Sequence, residues 1–437
     1  MTRALLVSKE QATLRKGWCP GVLRPMQAKD GLLIRLRISA GTLSAPVLRA
    51  LARAGREYGN GLFELSARAN LQMRGISAET YPRLVETLDK LGLADADAAA
   101  EAVRNVLISP LAGLDGQLDV RETGKALEAL LVTRADLHAL PGKFGVVIDN
   151  GSVLSLANIG ADIRFDWAGE RNGQWFDVVI GGRACDATYL GRCELHEIPI
   201  LAARLASLLC DPPRRMQELM QIRGSQAIGR EAGLNLVPAR QRDATEDPCP
   251  IGMLRPFENC FGVGATFGRL NANMLDALAL AAEKFGGGEI RLTPWRAVIV
   301  PHIQVAQDAA LRAYFKAHDF IVDRQDPRLA IASCGGMDAC ERGTTKTHTD
   351  ALELMFVARR LRSTGIALHV SGCAKLCARH AATPYTLIAH NSRYTLASDA
   401  TVGDNESNDA GLSLAEAKTM METMARKATQ KRELEGP

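Results

Sequence analysis

Aromatic residues are scarce in this 437-residue chain: Phe, Trp and Tyr together make up 5% of it. Its cores must therefore be built mainly from aliphatic side chains. Long apolar runs are missing too. The longest helical patch, Ala277–Ala282, stops at Glu283 and Lys284, far short of the roughly 18 residues a spanning helix needs. That argues against a helical membrane protein. Residues 1–16 lack the apolar core and small-residue cleavage site of a secretory signal, so the expected location is the cytoplasm. No basic run is interleaved with aromatics, which disfavours a nucleic-acid partner. No Gly-x-Gly-x-x-Gly follows a strand: Gly262 and Gly264 are followed by Phe267 where the third glycine belongs, which argues against a built-in dinucleotide site. The eight histidines form no pattern resembling a two-histidine, one-carboxylate iron site.

What is present is the balance of a folded globular protein, with 47% hydrophobic and 23% charged residues. The length implies two to four domain-sized units. Net charge is only +4, but the 53 basic residues divide into 40 Arg and 13 Lys. The planar guanidinium fork suits carboxylates and phosphates, although a GC-rich coding bias would raise the Arg count as well. Ten cysteines in a reducing compartment point to metal ligands more than to a disulfide framework.

The chain repeats itself at an offset of 227 residues. Leu48–Gly61 is answered by Leu275–Gly288, and Phe63–Ser66 by Ile290–Thr293. Upstream, Cys19–Pro25 is answered by Cys249–Pro256 with one residue inserted. A period of this size indicates a duplicated domain, not a solenoid. Each copy reads strand, helix, strand, strand, in the manner of a ferredoxin-like half-domain. In the first, Leu32–Ile38 is a strand with Arg35 and Arg37 on one face. Ser44 is the expected cap of a helix to about Tyr58, ended by Gly59, Asn60 and Gly61. Strands are expected at Leu62–Ser66 and Leu71–Ile76, then a helix near Tyr81–Leu91. The second copy gives a strand Cys260–Leu270, a helix Ala272–Phe285, strands Glu289–Thr293 and Ala297–Pro301, and a helix from about Ala306.

A longer α/β segment follows each half. The first has a helix Thr123–Leu131, strands Phe144–Asp149, Asp162–Trp167 and Trp175–Ile180, and a helix Glu197–Leu209. Pro238–Pro250 reads as the linker between copies. Ser413 and Glu416 form a capping box for an amphipathic C-terminal helix to Leu434. The expected organisation is a first half-domain at 10–76 and a first α/β domain at 77–237. A linker with the second half-domain occupies 238–302, and a final α/β domain with the C-terminal helix occupies 303–437.

The cysteines break the symmetry. Cys334-x5-Cys340 and Cys373-x3-Cys377 lie in the last segment, 32 residues apart, with no counterparts in the first copy. Cys373 and Cys377, four apart, would share one face of a helix. Gly335, Gly336 and Gly372 would let backbone amides approach an electron-rich centre. Two converging pairs supply the four thiolates of a [4Fe–4S] cluster. Zinc is the alternative, although its pairs are usually spaced by two to four residues. Cys19, Cys185, Cys193, Cys210, Cys249 and Cys260 read as small core residues.

The duplicated half-domain and the cysteine set together resemble the nitrite/sulfite reductase superfamily. So does Glu64–Gly75, similar to that superfamily's Thr-x-Arg-x-Asn-x-Gln signature, as do Arg104–Leu107 and Leu140–Phe144. Within it, the start Trp18–Pro25, the compact length and the Leu292–Arg296 segment most resemble the precorrin-3B synthase family. The resemblance implies an internally duplicated α+β fold, with two ferredoxin-like half-domains plus two larger α/β domains. It also implies an oxidoreductase of monooxygenase type, hydroxylating precorrin-3A at C20 with O2 and forming a γ-lactone, in aerobic cobalamin biosynthesis. The cofactors it implies are a [4Fe–4S] cluster on Cys334, Cys340, Cys373 and Cys377 and a non-haem iron. NAD(P)H electrons would arrive through a partner protein. Arg35, Arg37, Arg68, Arg104 and Lys143 would face the carboxylates of the tetrapyrrole, with Asn70 and Gln72 adding neutral hydrogen bonds. No catalytic residue is assigned. Arg296 is the repeat counterpart of Ala69, which leaves its role open. His369 and His380 flank the second cysteine pair and read as supporting residues. The alternative is a sirohaem-dependent sulfite or nitrite reductase. Those enzymes typically carry Lys-x-Lys where this chain has Lys143, Phe144 and Gly145, so one cation is missing.

Overall fold

The computed structural model describes residues 18–114, 116, 118–170, 173–234, 245–254, 259–361, 365–379, 381–400 and 411–435. It divides into two compact units, a larger one holding Gly17–Met26 and Leu32–Val322 and a smaller one built on Asp323–Pro437.

In the larger unit the repeat is visible. Strand Gly31–Leu36, helix Ala45–Tyr58, strands Leu62–Leu65 and Leu71–Ile76 and helix Tyr81–Lys90 make the first copy. Cys260–Gly264, Ala272–Phe285, Glu289–Leu292, Ala297–Pro301 and Asp308–Ala317 make the second. The expected strand Cys260–Leu270 is instead two strands, because Phe267 and Gly268 turn the chain with φ of 55° and 79°. The same turn occurs in the first copy at Ala40 and Gly41 (φ 52° and 62°). Each turn launches a three-residue strand into the other copy's sheet. Thr42–Ser44 pairs antiparallel with Glu289–Leu292, and Arg269–Asn271 with Leu62–Leu65.

This exchange also explains a helix start. Ser44 immediately precedes the first helix, yet its hydroxyl makes no capping bond. Instead the Ala45 amide donates to Gly288 O at 2.8 Å, and Ala272 N donates to Gly61 O at 2.9 Å. Each helix begins on a glycine carbonyl of the other copy, which satisfies one of its orphan amides. The helices then share one aliphatic core, with Leu48, Leu51, Leu275 and Leu278 packed near Phe63 and Ile34. At its surface Arg49 pairs with Glu283, and Arg56 with Asp276 at 2.6 Å. These two ion pairs are pseudo-symmetry mates: position 49 corresponds to 276, and 56 to 283.

The first α/β segment adds a sheet in the order Thr188–Glu194, Gln174–Gly182, Ala161–Glu170, Val146–Asp149, Val106–Ile108. Helices Arg121–Thr133 and Ile198–Ser207 supply Leu127 and Leu205 to its core beside Phe144, Phe165 and Phe176. Its two outer strands escaped the sequence analysis: one is three residues long, and the other mixes polar and apolar residues without alternation. Part of the expected linker, 238–244, lies outside the described residues. Of the six cysteines expected in cores, only Cys193 and Cys260 are buried, and Cys249 is exposed.

The smaller unit carries one sheet in the order Ile331–Ser333, Leu368–Ser371, Thr383–His390, Arg393–Ala400; the first three are parallel and the last is antiparallel. Helices Thr347–Leu361 and Leu414–Glu435 pack together in this unit. The capping box is present: Ser413 N donates to the Glu416 carboxylate at 2.7 Å, and Glu416 N to Ser413 Oγ at 3.3 Å.

Candidate functional site

In the smaller unit, Cys334 follows strand Ile331–Ser333 directly, and Cys373 follows the adjacent parallel strand Leu368–Ser371 after Gly372. Cys340 ends the short helix Gly336–Ala339. Cys373 and Cys377 do not share a helix face, because their segment runs in turns, with Leu376 at φ 51°. The strand ends just before them, and the left-handed residue breaks any helical path.

The thiols nevertheless lie within electrostatic range of one another. Burial raises the Cys373 thiol, and Cys334 and Cys340 raise it further. Desolvation, with Cys373, Cys334 and Cys340 adding to it and Lys375 opposing, pushes Cys377 up to about 12. The Gly372 amide donates to Cys334 Sγ at 3.2 Å. Three glycines pack backbone to backbone beneath. A Cβ on Gly343 would lie 2.3 Å from Gly336 C, and one on Gly372 would lie 3.2 Å from Gly336 Cα. Gly343 is the member that the sequence analysis missed. The Thr344 hydroxyl oxygen is buried there without a hydrogen-bond partner. Among the described residues, no three His, Cys, Asp or Glu side chains are placed to hold a single metal ion. His369 is buried on the strand leading to the second pair; His380 lies outside the described residues.

In the larger unit, the sheet of the first copy turns one face to its helices and a polar face away. A row of residues crosses that polar face: Arg35, Gln72, Glu64, Arg269. The Gln72 amide oxygen, in the orientation that satisfies both groups, accepts from Arg35 Nη2 at 2.8 Å. Glu64 accepts from Arg74 and Arg269, each at 3.3 Å.

Next to this row, Arg37, Arg68, Asn70 and Arg104 line one small cavity with Glu128 and Gly145. Arg68 donates to the Phe144 and Lys143 carbonyls, both at 3.3 Å. A Cβ at Gly145 would sit 2.5 Å from Arg68 Nη1, so the glycine leaves the guanidinium its room. Lys143 itself is exposed. The Ser66–Asn70 turn that presents Arg68 closes through Ser66 N donating to Asn70 O at 2.9 Å, with Ala69 at φ 52°.

Arg37 and Arg104 are engaged inward. Arg37 faces Glu101 at 3.3 Å, both 3% exposed, and donates to Asn105 Oδ1 at 3.2 Å. Arg104 forks onto Asp95 with two bonds of 2.9 Å and donates to Arg37 O at 3.0 Å. Glu101 also takes the amides of Val22 (2.5 Å) and Leu23 (3.1 Å). A Cβ on Gly21 would lie 2.2 Å from that carboxylate. The Cys-Pro-Gly-Val-Leu segment is thus strapped over a buried ion pair. Burial lowers the Arg37 and Arg68 guanidinium values and raises the Glu128 carboxyl, against the pull of Ser39 and Arg104. Glu101, Asp95 and Glu128 carried no sequence signal, since each acts through an arginine outside its own local element.

Comparison with known proteins places this architecture. The model of the nitrite/sulfite reductase ferredoxin-like half domain matches twice, over residues 24–91 and 258–318. A precorrin-3B synthase from Sinorhizobium sp is 33% identical over 88% of this chain and 83% of its own length. A ferredoxin–nitrite reductase from Synechococcus elongatus is 27% identical over 79% of this chain and 73% of its own. The solved structure of the Mycobacterium tuberculosis NirA protein superposes with a TM-score of 0.75 at 21% identity, over 90% of this chain and 80% of that one. The two matched halves are the interlocked copies described above, and the first relative extends the likeness through both α/β segments: the chain belongs to the precorrin-3B synthase family, within the nitrite/sulfite reductase superfamily.

Proposed function

We propose that the chain acts as a precorrin-3B synthase, an oxidoreductase that hydroxylates precorrin-3A at C20 with O2 and forms the γ-lactone in aerobic cobalamin biosynthesis. The observation that carries this reading over a sirohaem reductase is at Gly145. A second lysine there would displace the half-buried Arg68 guanidinium from the Lys143 and Phe144 carbonyls. Reduction of a small oxyanion draws on concentrated positive charge, and this position withholds one cation.

The four thiols fit a [4Fe–4S] cluster, which takes one thiolate per iron and so does not need them to converge on a single ion. The Gly372 amide already aimed at Cys334 Sγ, the glycine cradle and the partnerless Thr344 hydroxyl suit a sulfur-rich occupant. When bound, such a cluster supplies single electrons. NAD(P)H, through a partner protein, is the proposed source; among the described residues no His, Asp or Glu set is placed to hold a separate non-haem iron.

The chain's own residues hold the substrate. Arg35, Arg68 and Lys143, with Asn70 and Gln72, bind the rim carboxylates of the macrocycle through forked and charge-assisted hydrogen bonds. Arg37 and Arg104, paired with Glu101 and Asp95, hold that face in place.

Turnover of precorrin-3A under 18O2 tests this reading. The expected product gains one labelled oxygen at C20, from a protein whose visible spectrum shows broad iron–sulfur absorption. A Soret-type band together with nitrite or sulfite reduction would establish the alternative.

A further inference from the structure

The five-residue strap Gly343–Thr347 touches every segment that carries a cluster cysteine. Thr347 Oγ1 donates to Cys334 O at 2.5 Å. Met337, in the short helix ending at Cys340, donates its amide to Thr345 O at 2.9 Å, and Gly343 N donates to Cys340 O at 3.0 Å. Thr344 N donates to the carbonyl of Gly372, the residue before Cys373, at 3.3 Å.

The strap is itself fastened from behind. Tyr394, 2% exposed, sits on the last strand. Its hydroxyl is 2.8 Å from Thr345 Oγ1 and also hydrogen-bonds the Asp350 carboxylate. Beside it, Ser392 Oγ donates to Thr344 O at 3.1 Å. The Tyr394 backbone exchanges hydrogen bonds with Leu412, next to the capping box of the C-terminal helix.

We infer that Tyr394 is a positioning residue for the cluster: through Thr345 it holds the strap that fixes the separation of the three cysteine-bearing segments. This rests on the reading of the four thiols as cluster ligands. A buried phenol joined to a carboxylate and a hydroxyl is costly to leave partly satisfied. Its energy is therefore concentrated on one geometry of the strap. Outer-shell partners of this kind typically change metal affinity by about 10–100-fold when removed.

The test uses the full chain, reconstituted anaerobically with iron and sulfide. Tyr394→Phe keeps the ring and removes the hydroxyl. The expected variant loads four irons but loses them to a chelator about tenfold faster than the parent, with an altered electron-paramagnetic-resonance spectrum when reduced. Thr345→Val removes the same bond from the other side, and stands in if Tyr394→Phe does not fold. The double variant should be no worse than the poorer single variant, since the two residues act as one unit. Leu354→Ala, in the helix behind the strap and fully buried, should lower thermal stability without changing iron release. Parent-like release and an unchanged spectrum in Tyr394→Phe and Thr345→Val would overturn the inference while leaving the cluster in place. A parent chain that binds no iron overturns the cluster reading, and this inference with it.

Discussion

The two copies of the half-domain share a backbone and differ in what covers it. Left-handed residues recur at matched positions: Ala40 with Phe267, Gly61 with Gly288, Ala69 with Arg296, and Gly75 with His302. The row across the first sheet is Arg35, Gln72, Glu64, Arg269; the matched row of the second is Gly262, Ile299, Arg291, Thr42. The first face stays polar and partly exposed. The second is closed by Leu111, Leu114 and Leu154, packed with Ile299 and Cys260. At Gly262 closure is complete: a Cβ there would fall 1.9 Å from Pro250 O. Duplication supplied two similar surfaces, and divergence left one polar and partly exposed and turned the other into core.

The sharpest way to break this comparison lies in the segment that has no counterpart in the first copy. Cys373→Ala should abolish cluster content and oxygenation together, read by iron analysis and product mass. Full iron and activity in that variant would remove Cys373 from the ligand set.

Next in size, Ile299→Gln transplants the first copy's residue onto the covered face. It buries an amide among Leu111, Leu114 and Leu154, and should cost about 2–5 kcal/mol of stability in chemical denaturation. A variant as stable as the parent would mean that this face is looser than its packing indicates.

On the open face the effect should fall on binding. Arg35→Ala should raise KM for precorrin-3A about 10–100-fold, the loss of a charge-assisted hydrogen bond worth about 1.5–3 kcal/mol, with thermal stability nearly unchanged. A fall in kcat alone would move Arg35 from holding substrate to the chemistry itself.

The smallest effects belong to the paired helices. Arg49→Ala and Asp276→Ala, at matched positions, should cause similar small losses of stability that vanish in high salt. The hydrogen bond from Arg49 holds Glu283 below the usual carboxylate range. Its contribution is therefore complete at neutral pH and disappears as the pH falls through that range towards the depressed value. Loss of stability in Arg49→Ala that persists at acid pH would show that packing of the long side chain, not charge, was removed.

Much of the fold was legible because it rests on local signals. The helices Ala45–Tyr58 and Ala272–Phe285 followed from apolar spacing and terminal glycines, and the 227-residue offset exposed the duplication directly. The exchanged strands were not legible. Three residues are too few to show a period, and their partners lie more than 200 positions away. The candidate site divides in the same manner. Cysteine spacing marked the four thiols, but their second pair was placed on a helix that Leu376 does not permit. Arg37 and Arg104 stood out as cations, while the carboxylates that engage them, Glu101 and Asp95, were indistinguishable from surface acids.

The sequence by itself determined the main helices, the repeat and the spacing of the four cysteines, because propensity, periodicity and composition act between near neighbours. Only the tertiary structure decided which arginines keep outward-facing donors, which copy's face is closed, and that Gly343–Thr347 joins the cysteine segments. Those outcomes depend on burial and on hydrogen-bond partners distant along the chain, and neither is set until the chain has folded.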